Sequence, residues 1–398
     1  MSSKPTLKTL AAATTLFFIV GLVGGFYISQ AAFPATLVRT TTLLQTTTVL
    51  QTVEVREKGP EDAKLFGLEK RDGYVLLRDA MNRTVLLVPR GAALPNLKAD
   101  LVVRTPVERV VLMSTTHVAL VERLREYAPE MLDRVVGFMW GGGFKLYFPE
   151  FEKRLADGRI KDVGGAFSPD YEKIIALNPD LVMIYTYPGD PVISKLAELK
   201  LPYVVNGEYL ETEALGRFEW IKFVAAFFQL DEEAQKVLDY VKTSYVLTSS
   251  KAKTLLDRGI ESRKKIAWFS VFRGTVYAAA GESYVAKALR ELGADYVFSD
   301  LKGTGSGTVS KEELAARTVD ADVIVVSTDL ITSLESLLKE VPELSRSKAV
   351  REGRVYRYNS NIFQLGYYDT EGWFADIASL LYPKSFDDTD LKYFVQLR

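Results

Sequence analysis

Short apolar runs alternate with helical stripes along most of this chain. In YVLLRDAMNRTVLLV (74–88) two apolar runs flank Asp79 to Arg83, which predicts two strands joined by a polar turn. RVVLMS (109–114) reads as a buried strand ending in the polar loop Ser114-Thr115-Thr116-His117, and VALVERLREY (118–127) follows at helical spacing. RVVGF (134–138) predicts the next strand and leads into a glycine-rich aromatic loop, MWGGGFKLYFP (139–149). KLAELKLPYVVN (195–206) adds a helix and a strand. The stretch 211–256 differs. ETEALGRFEWIKFVAAFFQL and DEEAQKVLDYVKTSYVLTSSKAKTLL are long helical patterns with Asp231 placed to cap the second, and no strand interrupts them. KKIAWFSVF (264–272) restarts the alternation, which runs on to RVYRYN (354–359) and a last helix, EGWFADIASLLY (371–382).

One local design occurs twice. FSPDYEKIIALNPDLVMIY (167–185) and TVSKEELAARTVDADVIVVS (308–327) each carry a serine before a helical stretch, a glutamate in its first turn, and an Asp before an apolar run. Ser168 is placed to cap a helix with Pro169 at its first position, where the missing N–H costs nothing. Ser310 with Glu313 reads as a capping box. The runs after Asp180 and Asp322 are apolar on both faces, as in parallel sheets. The pair is compatible with an internal repeat and equally with two ordinary helix-to-strand units. The predicted fold is α/β: two Rossmann-like lobes with parallel sheets, joined by a long linking helix, with a ligand cleft beyond the carboxyl ends of the strands.

Composition adds limits. The chain has 398 residues, 47% of them hydrophobic, enough for two domains with real cores. Lys plus Arg number 50 against 51 acidic residues, which gives no reason to expect nucleic acid as a partner. The absence of cysteine excludes disulfides, thiolate zinc sites, Cys nucleophiles and a thiol-linked lipid within this sequence. Lys4 and Lys8 precede LAAATTLFFIVGLVGGFYI (10–28), long enough for an N-terminal transmembrane helix with its start in the cytoplasm. A cleaved signal peptide, leaving a secreted protein, is the alternative. Either way the remainder lies outside the cell. TTTLLQTTTVLQTVEV (40–55) reads as a Thr-rich stalk.

The order and spacing of several stretches resemble the substrate-binding proteins of ABC importers, in the class whose lobes are joined by one long helix. They are DAMNR (79–83, with Asn82 where the family usually has glycine), PVERVVLMS (106–114), VGG (163–165) followed by SPDYEKIIALNPDLVMIY, AAGESYVAKALRELGADYVF (279–298), and TVSKEELAARTVDADVIVV (308–326). Hydropathy and composition give 1–8 cytoplasmic N-terminus, 9–29 anchor or signal segment and 30–60 stalk. The alternation of elements, with a resemblance covering roughly residues 74 to 383, gives 61–105 N-terminal β extension, 106–209 N-terminal lobe, 210–258 linking segment and 259–398 C-terminal lobe. The resemblance also implies a permease dimer and its ATPase as partners, with Glu172 and Glu312 as docking carboxylates and Glu313 able to substitute. The class handles ferric siderophores, haem, cobalamin and, in a metal-specific branch, zinc or manganese.

Candidate ligand residues follow the strands: Trp140, Tyr147, Phe167, Tyr185 and Tyr187 in the first lobe, and Arg273, Tyr277, Asn361, Phe363 and Tyr367 in the second. The aromatics offer flat apolar area, and Arg273 offers a fork for an oxygen-rich anion. That suits a ferric siderophore, haem or corrinoid. No metal site and no cofactor are expected, since His117 is the only histidine and a siderophore supplies its own iron ligands. An oxyanion such as molybdate is the alternative, with KGTGSGT (302–308) at a helix start offering backbone N–H groups; a surface receptor without a transporter is another. No enzyme is expected: GTGSG lacks the nucleophile serine position, no phosphate-binding G-x-x-x-x-G-K-[ST] occurs, and triad residues are scarce.

Overall fold

The structure is a computed structural model that describes residues 60–398, apart from 72, 141–144, 167, 186–189 and 388–389. The apolar stretch 9–29 and nearly all of the stalk lie outside the described residues, as do Phe167 and Tyr187. Among the described residues no helix is long and apolar enough to cross a membrane.

The chain enters through a four-stranded sheet, β1 (Gly67–Arg71), β2 (Tyr74–Arg78), β3 (Thr84–Pro89) and β4 (Leu101–Thr105), in that spatial order. The DAMNR turn between β2 and β3 is built on buried Asp79. Its Oδ1 accepts the backbone N–H groups of Met81 and Arg83, each at 3.0 Å, and its Oδ2 holds the Arg83 guanidinium at 2.6 Å. Asn82 sits at φ 61°. That left-handed conformation favours glycine, and asparagine is among the few residues that tolerate it. Two buried carboxylates fix the segment ahead of β1. Glu219 accepts from the N–H groups of Glu61, Asp62 and Ala63, and Glu211 from those of Lys64 and Leu65.

The first α/β body follows: β5 (Val110–Leu112), α1 (Thr115–Arg125), β6 (Val135–Phe138), α2 (Pro149–Ala156), β7 (Lys161–Asp162), the small hairpin β8 (Gly164–Gly165) and β9 (Ser168–Pro169), α3 (Tyr171–Ala176), β10 (Leu181–Ile184), α4 (Pro191–Glu198) and β11 (Tyr203–Val205). Its sheet runs β11-β10-β5-β6-β7 and is wholly parallel. Every residue of β5, β6 and β10 is buried, as their unbroken apolar runs require.

The link contains two helices, and the longer of them packs into both cores. α5 (Ala214–Ala226) is buried nearly all round, and α6 (Asp231–Asp257) has 27 residues, a rod about 40 Å long. Asp231 does not cap α6 with its side chain; it lies in the first turn, where the helix dipole favours it, and pairs with Lys70 at 3.1 Å. Ala234, Val237, Leu238 and Val241 pack into the first core, whereas Tyr245 and Ala252 on the same stripe pack into the second. Tyr245 stacks on Phe374 with ring centroids 3.6 Å apart.

The second body contains β12 (Lys265–Phe272), β13 (Thr275–Ala279), α7 (Tyr284–Glu291), β14 (Asp295–Tyr296), β15 (Ser306–Val309), α8 (Lys311–Thr318), β16 (Val323–Val326), α9 (Leu334–Glu340), α10 (Lys348–Arg351), β17 (Val355–Tyr358), α11 (Ile362–Tyr368), α12 (Thr370–Leu381) and β18 (Phe394–Gln396). Its sheet runs β15-β13-β12-β16-β17-β18 and is mixed, not parallel as expected: β13, β15 and β18 run antiparallel to their neighbours. The reason is local. The two-residue turn Arg273-Gly274, with both residues at positive φ, folds β13 back on β12 as a hairpin before any helix intervenes.

The two similar stretches do share a structural role. Asp180 Oδ2 accepts the backbone N–H of Glu108 at 2.9 Å and of Arg109 at 3.2 Å, and Asp322 Oδ2 accepts that of Lys265 at 2.8 Å. Each Asp thereby fastens its own strand to the start of the neighbouring one. The capping differs from expectation. Asp170, not Ser168, caps α3 through Lys173 N–H at 3.0 Å, because Ser168 and Pro169 are held in β9 against Gly164 and Gly165. Ser310 does cap α8 through Glu313 N–H at 3.0 Å, while the Glu313 carboxylate turns to Arg317 at 2.9 Å.

Candidate functional site

An open cavity lies where α5 meets the second body. Its walls come from Ala214 and Arg217 on α5, Tyr284 at the start of α7, Tyr358 at the end of β17, Ile362, Phe363, Gly366 and Tyr367 on α11, and Thr370 and Trp373 on α12. Ser283 caps α7 and so fixes where Tyr284 begins. The Trp268 indole N–H donates to the Tyr358 hydroxyl at 3.2 Å, which orients that ring from behind.

Arg217 is the cavity's charge. Its guanidinium carbon lies 4.0 Å from the Tyr284 ring centroid and 5.3 Å from that of Tyr367. Cation–π attraction between two rings holds the plane in place. One terminal nitrogen donates to the Tyr209 carbonyl, and the buried Nε has no hydrogen-bond partner among the described residues. The guanidinium thus lies against two tyrosine rings, is hydrogen-bonded to Tyr284 as well, and keeps Nε without an acceptor among the described residues.

Past the carboxyl end of β11 lies Glu208, 1% exposed and within the electrostatic reach of Arg217. Thr116 Oγ1 donates to its Oε1, and Ser114 Oγ lies 2.9 Å from that hydroxyl. Its buried Oε2 has no hydrogen-bond partner among the described residues. Burial pushes the Glu208 carboxyl up to about 7, against the Thr116 hydrogen bond and the positive charge of Arg217, which favour the anion. Burial likewise raises the Tyr367 phenol, opposed by Arg217.

The two bodies also touch beside the cavity. Gln364 on α11 accepts from Tyr147 N–H at 2.9 Å and donates to the Lys145 carbonyl at 2.8 Å, and Arg123 on α1 pairs with Glu371 on α12 at 2.7 Å.

A family model described as "Periplasmic binding protein" matches residues 146–362, more than half of the chain. The chain is 33% identical over 331 residues to an uncharacterized lipoprotein of Methanocaldococcus jannaschii, covering 81% of this chain and 78% of that one. It belongs to the periplasmic binding protein family. Solved structures share the fold of this binding protein. A periplasmic heme binding protein from Pseudomonas aeruginosa aligns with a TM-score of 0.56 at 16% identity, covering 73% of this chain and 98% of its own. A petrobactin-binding protein from Bacillus subtilis aligns at 0.50 and 18%, covering 66% and 85%. The family is a solute-binding class.

The sequence-predicted residues of this binding protein divide. Phe363 and Tyr367 line the cavity. Asn361 precedes α11; its Nδ2 donates to the Lys392 carbonyl at 3.1 Å, and its buried Oδ1 has no partner among the described residues. Tyr147, half-buried, meets α11 through its backbone, with Lys145 4.8 Å from its ring centroid. Trp140 is half-buried at φ 83° against the first core, and Tyr185 packs edge-on to Tyr209 with centroids 6.4 Å apart. Tyr277 sits within β13 between Ser270 and Thr308.

Arg273 is not a wall of the cavity. It is exposed at the β12–β13 turn, at φ 49°, over Phe272. KGTGSGT does not open a helix: Ser306 and Gly307 belong to edge strand β15, and α8 starts at Lys311. His117 is not a loop residue but lies inside α1, fully buried, with its pKa pushed down to about 3 by burial, so it stays neutral. Glu172 and Glu312 each occupy the second position of their helix and are exposed; backbone N–H groups and Ser310 hold the Glu312 carboxyl below its usual range.

Sequence reasoning missed Arg217, Tyr284, Tyr358, Trp373 and Glu208. The one available signal was Arg217 itself, the lone basic residue in the first half of an α5 pattern otherwise apolar enough to be buried. A charge inside such a helix needs a partner or a purpose.

Proposed function

We propose that this protein is the extracytoplasmic solute-binding component of an ABC importer, and that it takes a ferric siderophore or haem into the cavity beside Arg217. One observation carries the reading: a guanidinium packed against two tyrosine rings, with an unsatisfied Nε, in an aromatic-walled cavity beside the carboxyl end of β17. A flat or catechol-rich anionic ligand matches both features. The heme-binding and petrobactin-binding proteins that share the fold support this choice over an oxyanion, for which aromatic walls have little use. Arg217, Tyr284, Tyr358, Phe363, Tyr367 and Trp373 form the proposed ligand set.

Glu172 and Glu312 are the proposed contacts to arginines on the two permease subunits, since two like charges at equivalent helix positions fix orientation on a two-fold partner. Attachment to the membrane is assigned to the apolar stretch 10–28. The Methanocaldococcus relative is named a lipoprotein, but this sequence has no cysteine to carry a thioether-linked lipid.

A melting-temperature screen of the full-length protein against haem, ferric catecholate siderophores, cobalamin and molybdate tests the ligand. Haem or a ferric siderophore should raise the midpoint; stabilisation by molybdate alone would replace this reading. With that ligand and the reconstituted transporter, the Glu172→Ala, Glu312→Ala double variant should bind normally yet fail to stimulate ATP hydrolysis. Normal stimulation removes the docking assignment.

A further inference from the structure

We propose that capture of an anionic ligand group by Arg217 is coupled to uptake of one proton from solvent at Glu208 Oε2, so that Glu208 determines which ligand charge the cavity accepts. The inference rests on the cavity reading above. Arg217 and Glu208 belong to one buried cluster: Arg217 donates to the carbonyl of Tyr209, the residue after Glu208, and each partner keeps one buried polar atom without a hydrogen bond among the described residues. An anion that pairs with Arg217 cancels the charge that helps Glu208 stay ionised. Glu208 Oε1 is already engaged by Thr116, which leaves Oε2 to receive the proton.

The other groups facing Glu208 do not replace Arg217. From α1 come Thr116 and, behind it, Ser114, both neutral. From its own loop come the Asn206 amide, which accepts the Glu208 N–H at 3.2 Å, and Glu211, whose negative charge opposes ionisation. Glu211 is itself committed to the N–H groups of Lys64 and Leu65 and to the Trp220 indole at 3.1 Å. From α11 comes Tyr367, whose phenol stays protonated in this setting. Arg217 is therefore the one cation whose charge acts on Glu208 among these groups.

Titration of the full-length protein by isotope-edited infrared spectroscopy, following the protonated-carboxyl band that Glu208→Gln removes, tests the coupling without a ligand. Arg217→Met mimics neutralisation by an anion and should move the Glu208 midpoint upward by about one pH unit or more. Arg217→Lys, which keeps the charge, should leave it near the wild-type value and controls for disturbed folding. An unchanged midpoint in Arg217→Met overturns the proposal. Calorimetry at pH 8 with haem and ferric tris-catecholate, in buffers of different ionisation enthalpy, supplies the second arm. The wild type should take up about 0.4 proton per bound anion for a one-unit shift, and more for a larger one, and Glu208→Gln none; binding without uptake in the wild type also overturns the coupling. If neither probe binds while the midpoint still responds to Arg217→Met, the ligand reading fails and the coupling stands.

Discussion

The two α/β bodies share a clamp and differ in chemistry. In each, an Asp at the head of a buried strand fastens the neighbouring strand's first residues, through Asp180 in one and Asp322 in the other. Each also presents an exposed glutamate at the second position of a short helix. Yet among the described residues the cavity walls come from α5 and the second body, while the first contributes the buried Glu208 carboxylate that feels Arg217. Repeated elements carry the frame, and the unrepeated ones line the cavity. The second sheet departs from the first where β13 folds back as a hairpin, and α11 and α12 have no counterpart on the first body's side of the cavity.

The largest expected effect concerns the buried carboxylate. Glu208 titrates near 4.5 as an unfolded-chain carboxyl and near 7 in the folded state. The folded state therefore holds an extra proton between those values, so its stabilising contribution is complete below pH 4.5 and is lost as pH rises to 7. The wild type should lose roughly 3 kcal/mol across that window relative to Glu208→Gln. Chemical denaturation of both proteins from pH 4 to 8 would show parallel curves were Glu208 not buried as a charge.

Next in size is the contrast between two arginines. Arg217→Met should weaken binding of the stabilising ligand about 100-fold, roughly 2.7 kcal/mol, whereas Arg273→Ala should change it by less than about 3-fold. The reverse order in a titration would move the site to the β12–β13 turn.

Smallest are the clamps. Asp180→Ala and Asp322→Ala should each cost about 1–3 kcal/mol, as expected for hydrogen bonds to an ionised acceptor, and by similar amounts. Hydrogen exchange should show that the loss is local, at Glu108 and Arg109 for the first and Lys265 for the second. Protection lost in the same places for both variants would argue against separate clamps.

Much of the frame was readable along the chain. The unbroken apolar runs at 110–112, 181–184 and 323–326 are strands because only a strand buried on both faces needs no polar alternation. The turn at 79–83 and the strand-free stretch 211–256 were equally plain. The cap at Ser168 failed because a hairpin of four residues competes for it, and the parallel second sheet failed because a two-residue turn outweighs the βα rhythm. Phe363 and Tyr367 were recognisable as candidates from their place after a strand. Arg273 drew attention for the same reason, yet it stands exposed at a turn and does not line the cavity.

By itself the sequence determined the alternation of strands and helices, the two bodies and the helical link, since periodicity and turn residues act between near neighbours. Only the folded molecule decided which arginine lines the cavity. Arg217 draws its surroundings from positions 208–209, 284 and 367, and a charge's energy depends on what is packed within a few ångströms of it, however distant along the chain.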